Sequence, residues 1–222
     1  MLRSIHNENG IMGLTLSQIG LMVASGILIV AVFSVLYLND WQRTAELKGT
    51  ATQISTLIEG LNSQFFENAI SYRFSDKNYQ YNISISTEYI IISAKGNREN
   101  VLSAKKQLSV KIWPQSFDSM WIGADGLHDY LKHILRNESH AFVNTSGNFS
   151  DPVSPDNIEW VQDNLSNIQK NIQASLAVHP MYMPTNRTVI IEKAIIYYDI
   201  NGDGTWNKDD DKQQEFIFIY NQ

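Results

Sequence analysis

Between Glu8 and Asp40 the chain carries no charged residue, and Ile19 to Leu38 (IGLMVASGILIVAVFSVLYL) is almost wholly apolar. At about 1.5 Å rise per residue such a run makes roughly 30 Å of helix, the thickness of a bilayer's hydrocarbon core. No second run of this kind occurs in the sequence. A cleaved secretory signal has an apolar region of about 7–15 residues with a small-x-small site behind it. Here the run is longer and Leu38-Asn39-Asp40-Trp41 follows it. A buried core helix fits a shorter stretch. The run is therefore expected to be a retained membrane helix, with a short tail on one side and the bulk of the chain on the other.

The chain has a formal net charge of −6 and no cysteine. An acidic balance argues against a nucleic-acid partner, because neutralising phosphates takes clustered Lys and Arg. Without cysteine there are no disulfides, thiolate metal sites or cysteine nucleophiles. Five Trp, ten Tyr and nine Phe are enough to build a packed core, so the part beyond the membrane is expected to fold and not to form a disordered stalk.

Past Leu38 a helical pattern continues. Trp41, Ala45, Ile54, Leu57, Ile58, Leu61, Phe65 and Ala69 recur at three- and four-residue steps with polar residues between them, an amphipathic stripe. Gly49 and Gly60 weaken it by up to about 1 kcal/mol each and are the places for a kink. The period then changes to two. Asn78–Ser86, a turn at Thr87-Glu88 and Tyr89–Ala94 predict a hairpin, and Leu108–Trp113 a third strand stopped by Pro114. Asp125–Arg136 reads as a short helix and Asn137–Asp156 as an exposed loop. Ser154-Pro155-Asp156 starts a further helix, with Ile158, Val161, Leu165, Ile168, Ile172 and Leu176 on one face and His179-Pro180 at its end. Thr188–Ile200 and Glu215–Tyr220 predict two strands.

The expected fold is α+β: a long N-terminal helix, half in the membrane and half amphipathic, packed on an antiparallel sheet, with a second α+β subdomain. The expected segments are a tail or leader (1–13), a membrane helix (14–38), an amphipathic helix plus sheet (39–115) and a C-terminal subdomain (116–222).

The most chemically specific stretch lies between the last two strands. Asp199-Ile-Asn201-Gly-Asp203-Gly204-Thr205-Trp206-Asn207-Lys-Asp209-Asp210 fits the calcium-loop pattern D-x-N-x-D-G, with a carboxylate at loop position twelve. Asp199, Asn201 and Asp203 put hard oxygen donors on alternate residues, Gly204 permits the sharp reversal, and the Thr205 carbonyl would supply a backbone ligand. Asn207 would hold a water and Asp210 would close the site. The dozen residues resemble the loops of EF-hands and especially of dockerin-like repeats, although predicted strands flank them and no second copy occurs. The competing reading is an Asn-Gly/Asp-Gly hairpin turn carrying solvated acids. A single loop between strands would act as a structural clamp and not as a sensor.

His128, His133 and His140 are five and seven apart and do not share a helical face, so no zinc site is expected. No nucleophile elbow, phosphate loop, dinucleotide fingerprint or H-E-x-x-H occurs. Asp125, Asp129 and Glu138 have no evident partner, and no enzyme activity is expected. Sequons at Asn82, Asn137, Asn144, Asn148, Asn164 and Asn186 all follow the apolar run; any that is used places the large domain outside the cytoplasm.

Residues 1–70 resemble the N-terminal region of type IV pilins and their archaeal relatives. The resemblance rests on a short polar leader (Met1–Gly13), then Gly13-Leu14-Thr15-Leu16-Ser17-Gln18, then the apolar helix and its amphipathic extension. It implies cleavage after Gly13 with Leu14 as the new N-terminus, Gly10 being the alternative, and a helix retained in the product. Gln18 then stands at mature position five, where many bacterial pilins have a glutamate. The leader carries Glu8 beside Arg3. Together with the sequons and the absence of cysteine, the resemblance implies an archaeal cell-surface protein. That protein would be anchored by one membrane helix, stabilised by Ca²⁺, and partnered by other pilin-like subunits or envelope proteins. The rival expectation is an uncleaved, signal-anchored binding or sensor module that uses aromatics around Trp113, Trp121 and Trp160. The charge rule contributes little to orientation, since Arg3 precedes the helix while Arg43 and Lys48 follow it.

Overall fold

The computed structural model describes residues 8–96, 100–116, 119, 121–137 and 152–222, with side chains from Leu16 onward apart from those of 135–137. Helix α1 (Glu8–Asn62) is one unbroken element of 55 residues that passes through Gly49 and Gly60. From Leu16 to Asn39 every side chain except Leu36 is exposed. Above that level one face is covered, through Asp40, Arg43, Leu47, Ala51, Ile54, Ile58 and Leu61. The covered face departs from the expected stripe at both ends. Trp41 is 72% exposed, and Phe65 and Ala69 lie beyond the end of the helix, with Phe65 80% exposed and Ala69 in a strand. At the lower end the reason is polar, since Arg43 reaches a strand of the domain while the Thr44 hydroxyl is satisfied within the helix. Arg43 Nη1 donates to the Lys95 carbonyl at 3.2 Å and Thr44 Oγ1 to the Asp40 carbonyl at 2.8 Å. Hydrophobicity alone selects the wrong side there.

Two four-stranded sheets follow. Strands β2 (Tyr81–Ile85), β3 (Tyr89–Lys95) and β4 (Val101–Gln107) form a meander, and β6 (Met181–Met183) joins it at the β2 edge. The other sheet runs β1 (Asn68–Arg73), β7 (Thr188–Tyr198), β8 (Lys212–Asn221), β5 (Trp113–Gln115). Among the described residues the ladders are antiparallel except β5 with β8, and Val153 adds an isolated parallel bridge to Tyr198. The expected β2–β3 hairpin forms, but the third strand is Val101–Gln107 and not Leu108–Trp113. Leu102 and Ala104 face the core, a weak alternation whose two following lysines mask it. The segment 108–112 instead caps the hairpin turn, the Leu108 and Ile112 N–H groups donating to the Glu88 and Thr87 carbonyls. Pro114 sits inside β5, where an edge strand tolerates the missing donor.

The core has two parts. In the first, Ile54, Ile58 and Leu61 of α1 meet Ile83, Ile85, Ile90 and Ile92 of the meander and Val189, Ile191, Ile217 and Ile219 of β7–β8. In the second, the opposite face of β7–β8 (Ala194, Ile196, Tyr198, Phe216 and Phe218) is covered by helices α2 (Gly123–Asn137) and α3 (Ile158–Val178) through Leu127, Leu131, Val161 and Leu165. A ribbon buried on both faces needs apolar residues in succession, which is how Thr188–Tyr198 and Phe216–Ile219 read. Because β7 lies between β1 and β8, a β-ladder crosses the boundary expected at 115/116.

The two charged neighbours in the middle of β7 point to opposite faces, and each meets a helix end. Lys193 is fully buried, and its Nζ donates to the carbonyls of Asn62 and Gln64 at the end of α1 and pairs with Glu215 Oε2 at 2.8 Å. Glu192 Oε2 accepts the Ala124 N–H at 3.0 Å and the Tyr220 hydroxyl at 2.9 Å, at the start of α2. Cation at a C-terminus and anion at an N-terminus both match the helix dipole. Gly123 sits there at φ +71°, in the left-handed region where a side chain is strained. Replacing Lys193 by Met strands two carbonyls and a carboxylate, so it is expected to lower stability by about 3 kcal/mol. Urea denaturation of the detergent-solubilised chain measures this, and a loss under about 1 kcal/mol would show that the buried lysine does not hold α1.

Candidate metal loop

The thirteen residues 199–211 connect β7 to β8 and are folded by their own side chains. Asp199 is 2% exposed; its Oδ1 accepts the Gly202 N–H at 2.6 Å and its Oδ2 the Gly204 N–H at 2.8 Å. Gly202 and Gly204 have φ near +78° and +79°, the left-handed region in which a side chain is strained. Asn201 Oδ1 accepts the Asp203 N–H at 2.9 Å, and Asp203 Oδ1 accepts both the N–H and the hydroxyl of Thr205 at 2.8 and 2.7 Å. These Thr205 bonds favour the ionised carboxylate and hold the Asp203 carboxyl below its ordinary pKa. The Asn207 side-chain oxygen accepts the Asp209 N–H at 3.2 Å.

Five of the six expected ligand residues, Asp199, Asn201, Asp203, Thr205 and Asn207, take part in this network, and Asp210 is exposed with only its backbone N–H tied to the Asn207 carbonyl. The acid that turns back across the loop is Asp211. Its Oδ1 accepts the Ile200 N–H and its Oδ2 the Asn207 N–H, both at 2.7 Å. Sequence reasoning missed it because Asp209, Asp210 and Asp211 are consecutive, and a twelve-residue template stops at the second of them.

The residues suit calcium by donor type: every candidate is a hard oxygen, and each oxygen of Asp199 and Asp211 that accepts one N–H has another lone pair. In the conformation described, those carboxylates serve backbone N–H groups, and no three acidic or histidine side chains among the described residues are grouped as an ion would require. The loop also touches the rest of the protein. The Asp199 N–H donates to the Val153 carbonyl at 3.0 Å and the Val153 N–H to the Tyr197 carbonyl at 2.8 Å, which joins the loop to the segment leading into α3.

The other expected features are distributed as follows. His128 is buried with its Nε2 3.0 Å from Glu67 Oε1, and His133 is exposed on the same helix. Trp113, Trp121 and Trp160 pack into the second core and do not form an exposed aromatic surface. Asn82 and Asn186 are exposed, while Asn164 is half-buried and donates to the Trp160 carbonyl at 2.9 Å. His140, Glu138, Asn144 and Asn148 lie outside the described residues, as does the side chain of Asn137. A small apolar cavity of about 10 Å³ between α2, α3 and β8 is lined by Trp113, Trp121, Leu165, Ile172 and Phe218 among others, with no titratable side chain in its wall.

Glu67 is a polar junction that the sequence did not reveal. Its Oε1 accepts the Ile195 N–H of β7 at 2.7 Å and meets His128 of α2. Burial raises its pKa, but the bonds from His128 and Ile195 outweigh burial, so the carboxyl lies below its ordinary value. A carboxylate with a depressed folded-state pKa stabilises the fold above the unfolded value and loses that contribution as pH falls through the folded one.

Two outcomes follow from these geometries. Glu67→Gln should cost about 1 kcal/mol near neutral pH, discounted for its partial exposure, and flatten the acid limb of stability against pH; urea midpoints across pH test it, and parallel wild-type and variant curves would contradict it. In the presence of chelator, Asp211→Ala should destabilise by about 1 kcal/mol while Asp210→Ala stays within about 0.5 kcal/mol. Equal effects would remove the distinction between them.

The chain matches no protein-family model, no curated protein and no solved structure.

Proposed function

We propose that this is a single-pass, membrane-anchored, pilin-like protein whose folded domain projects outside the cytoplasm, as a structural component of a surface filament or envelope complex. The observation that carries the reading is the division of α1. It is a helix near the N-terminus long and apolar enough to cross a membrane, its apolar window is not covered by the rest of the protein, and the same helix continues into the domain core. Gly13-Leu14-Thr15-Leu16 directly before the apolar run supports cleavage after Gly13 and assembly through the retained helix. Gly20 and Gly26 carry no side chain, so backbones of neighbouring helices could approach closely there. In this reading the partners are other pilin-like subunits or envelope proteins.

Calcium enters the proposal as a clamp. Asp199, Asn201, Asp203, Thr205 and Asn207 would hold the ion, with closure by Asp211 in place of Asp210. The ion's role is to neutralise the clustered acids between β7 and β8. By linkage, calcium at about one hundred times its dissociation constant adds roughly 2.7 kcal/mol.

Intact-mass and N-terminal analysis of protein purified from its native membrane tests the pilin reading. A product beginning at Leu14 is expected, and one beginning at Met1 would leave a simple signal anchor. For the clamp, chelation should lower the melting temperature, added calcium should restore it, and Asp203→Ala should abolish the response. Melting curves indifferent to all three would reduce the loop to an acidic turn.

A further inference from the structure

The covered face of α1 does not stop where the apolar run stops. It descends through Leu61, Ile58, Ile54, Ala51, Leu47, Arg43 and Asp40 to Leu36, at steps of three and four residues, and Leu36 lies inside the run that ends at Leu38. Two parts of the domain grip the helix just above that level. The end of β3 is held by the bond from Arg43 Nη1 to the Lys95 carbonyl at 3.2 Å. The segment entering β2 is held by Tyr79, whose hydroxyl donates to Glu46 Oε2 at 2.8 Å and whose ring lies 5.0 Å from the Arg43 guanidinium, and by Lys77, 3.6 Å from Glu46.

Depth follows from helix geometry. From Leu38 to Arg43 is five residues, about 7.5 Å of rise, and each headgroup layer is roughly 5–7 Å thick. With α1 upright in a bilayer, the Arg43 backbone would stand where headgroups meet water, with the Lys95 carbonyl that its side chain reaches and Val101, the ladder partner of Lys95, near that level; an ordinary tilt of about 20° brings one side lower. Val101 is 76% exposed at this level, and Tyr37 and Trp41 are also exposed, side-chain types that favour the interface. Asp40 and Glu46 lie on the same stretch of α1 as Arg43, and Glu46 pairs with Lys77 at 3.6 Å, so a patch of unbalanced positive charge is not the basis of the contact.

Resting on the membrane-anchor reading above, we infer that the edge of the domain made by Val101, Lys95, Arg43 and Trp41 is seated on the lipid headgroup layer, so that the domain stands on the bilayer with no stalk. The partner is the polar surface of the membrane itself, zwitterionic lipid included.

The chain's lack of cysteine makes the test direct. Single substitutions Ile29→Cys, Val101→Cys and Gln107→Cys, each at an exposed position, are spin-labelled in the full chain in phosphatidylcholine nanodiscs. Collision rates with oxygen and with a water-soluble nickel chelate are then compared. The label at 29 should be reached by oxygen and shielded from nickel, and that at 107, at the far end of β4, fully reached by nickel. The label at 101 should show several-fold lower nickel access than 107, unchanged by salt and by reduction to one copy per disc. Nickel access at 101 equal to that at 107, with 29 shielded, overturns the seat and leaves the anchor standing. Nickel access at 29 overturns the anchor and the seat together. Shielding at 101 that disappears at one copy per disc assigns the contact to a neighbouring subunit and overturns the lipid seat.

Discussion

One helix carries two kinds of surface, an uncovered apolar length and a single buried face, and most of the architecture answers to that division. In its lower half α1 presents apolar side chains on all sides and satisfies its backbone internally, which is what a membrane-spanning helix would need. The hydroxyls that occur there are absorbed in the same way, Ser25 donating to the Leu21 carbonyl and Ser34 to the Val30 carbonyl, both at 2.7 Å. In its upper half the helix narrows to a single buried face, and two sheets close over it. No flexible linker separates the halves, so the orientation of the lower half fixes that of the domain.

The β7–β8 ribbon is the second organising element. It is buried on both faces, with α1 and the meander against one and α2 and α3 against the other. Both of its central charges are spent at helix ends, Lys193 on the end of α1 and Glu192 on the start of α2. The ribbon therefore sets where each helix stops or begins, and the loop at its tip is tied through Val153 to the segment that starts α3. A clamp at that tip would act on the ribbon and on α3 together.

Much of this was legible in the sequence where one interaction dominates. The apolar run, the β2–β3 hairpin, the stripe of α3 and the last two strands are all consequences of hydrophobic burial, read from a period in the hairpin and α3 and from continuous apolar residues in the others. The reading failed where polar contacts decide. Arg43 lies on the covered face of α1 because it meets a carbonyl brought by β3, whereas Trp41, expected inside on hydrophobicity, is outside. The third strand of the meander carries lysines on one side and only Leu102 and Ala104 on the other, too little alternation to see. In the loop, composition located the acids correctly, but which of three consecutive aspartates turns inward depends on the positions of the Ile200 and Asn207 N–H groups, which no spacing rule encodes.

The central claim is that α1 is one rigid helix from the apolar run into the domain core. Amide hydrogen exchange across residues 36–47 of the full chain in lipid nanodiscs tests it most directly. The account predicts uninterrupted slow exchange through Asn39, Asp40 and Trp41, as protected as the segment around Ile54. A window of rapid exchange between Leu38 and Leu47 would mean that a hinge separates anchor from domain, and would contradict it.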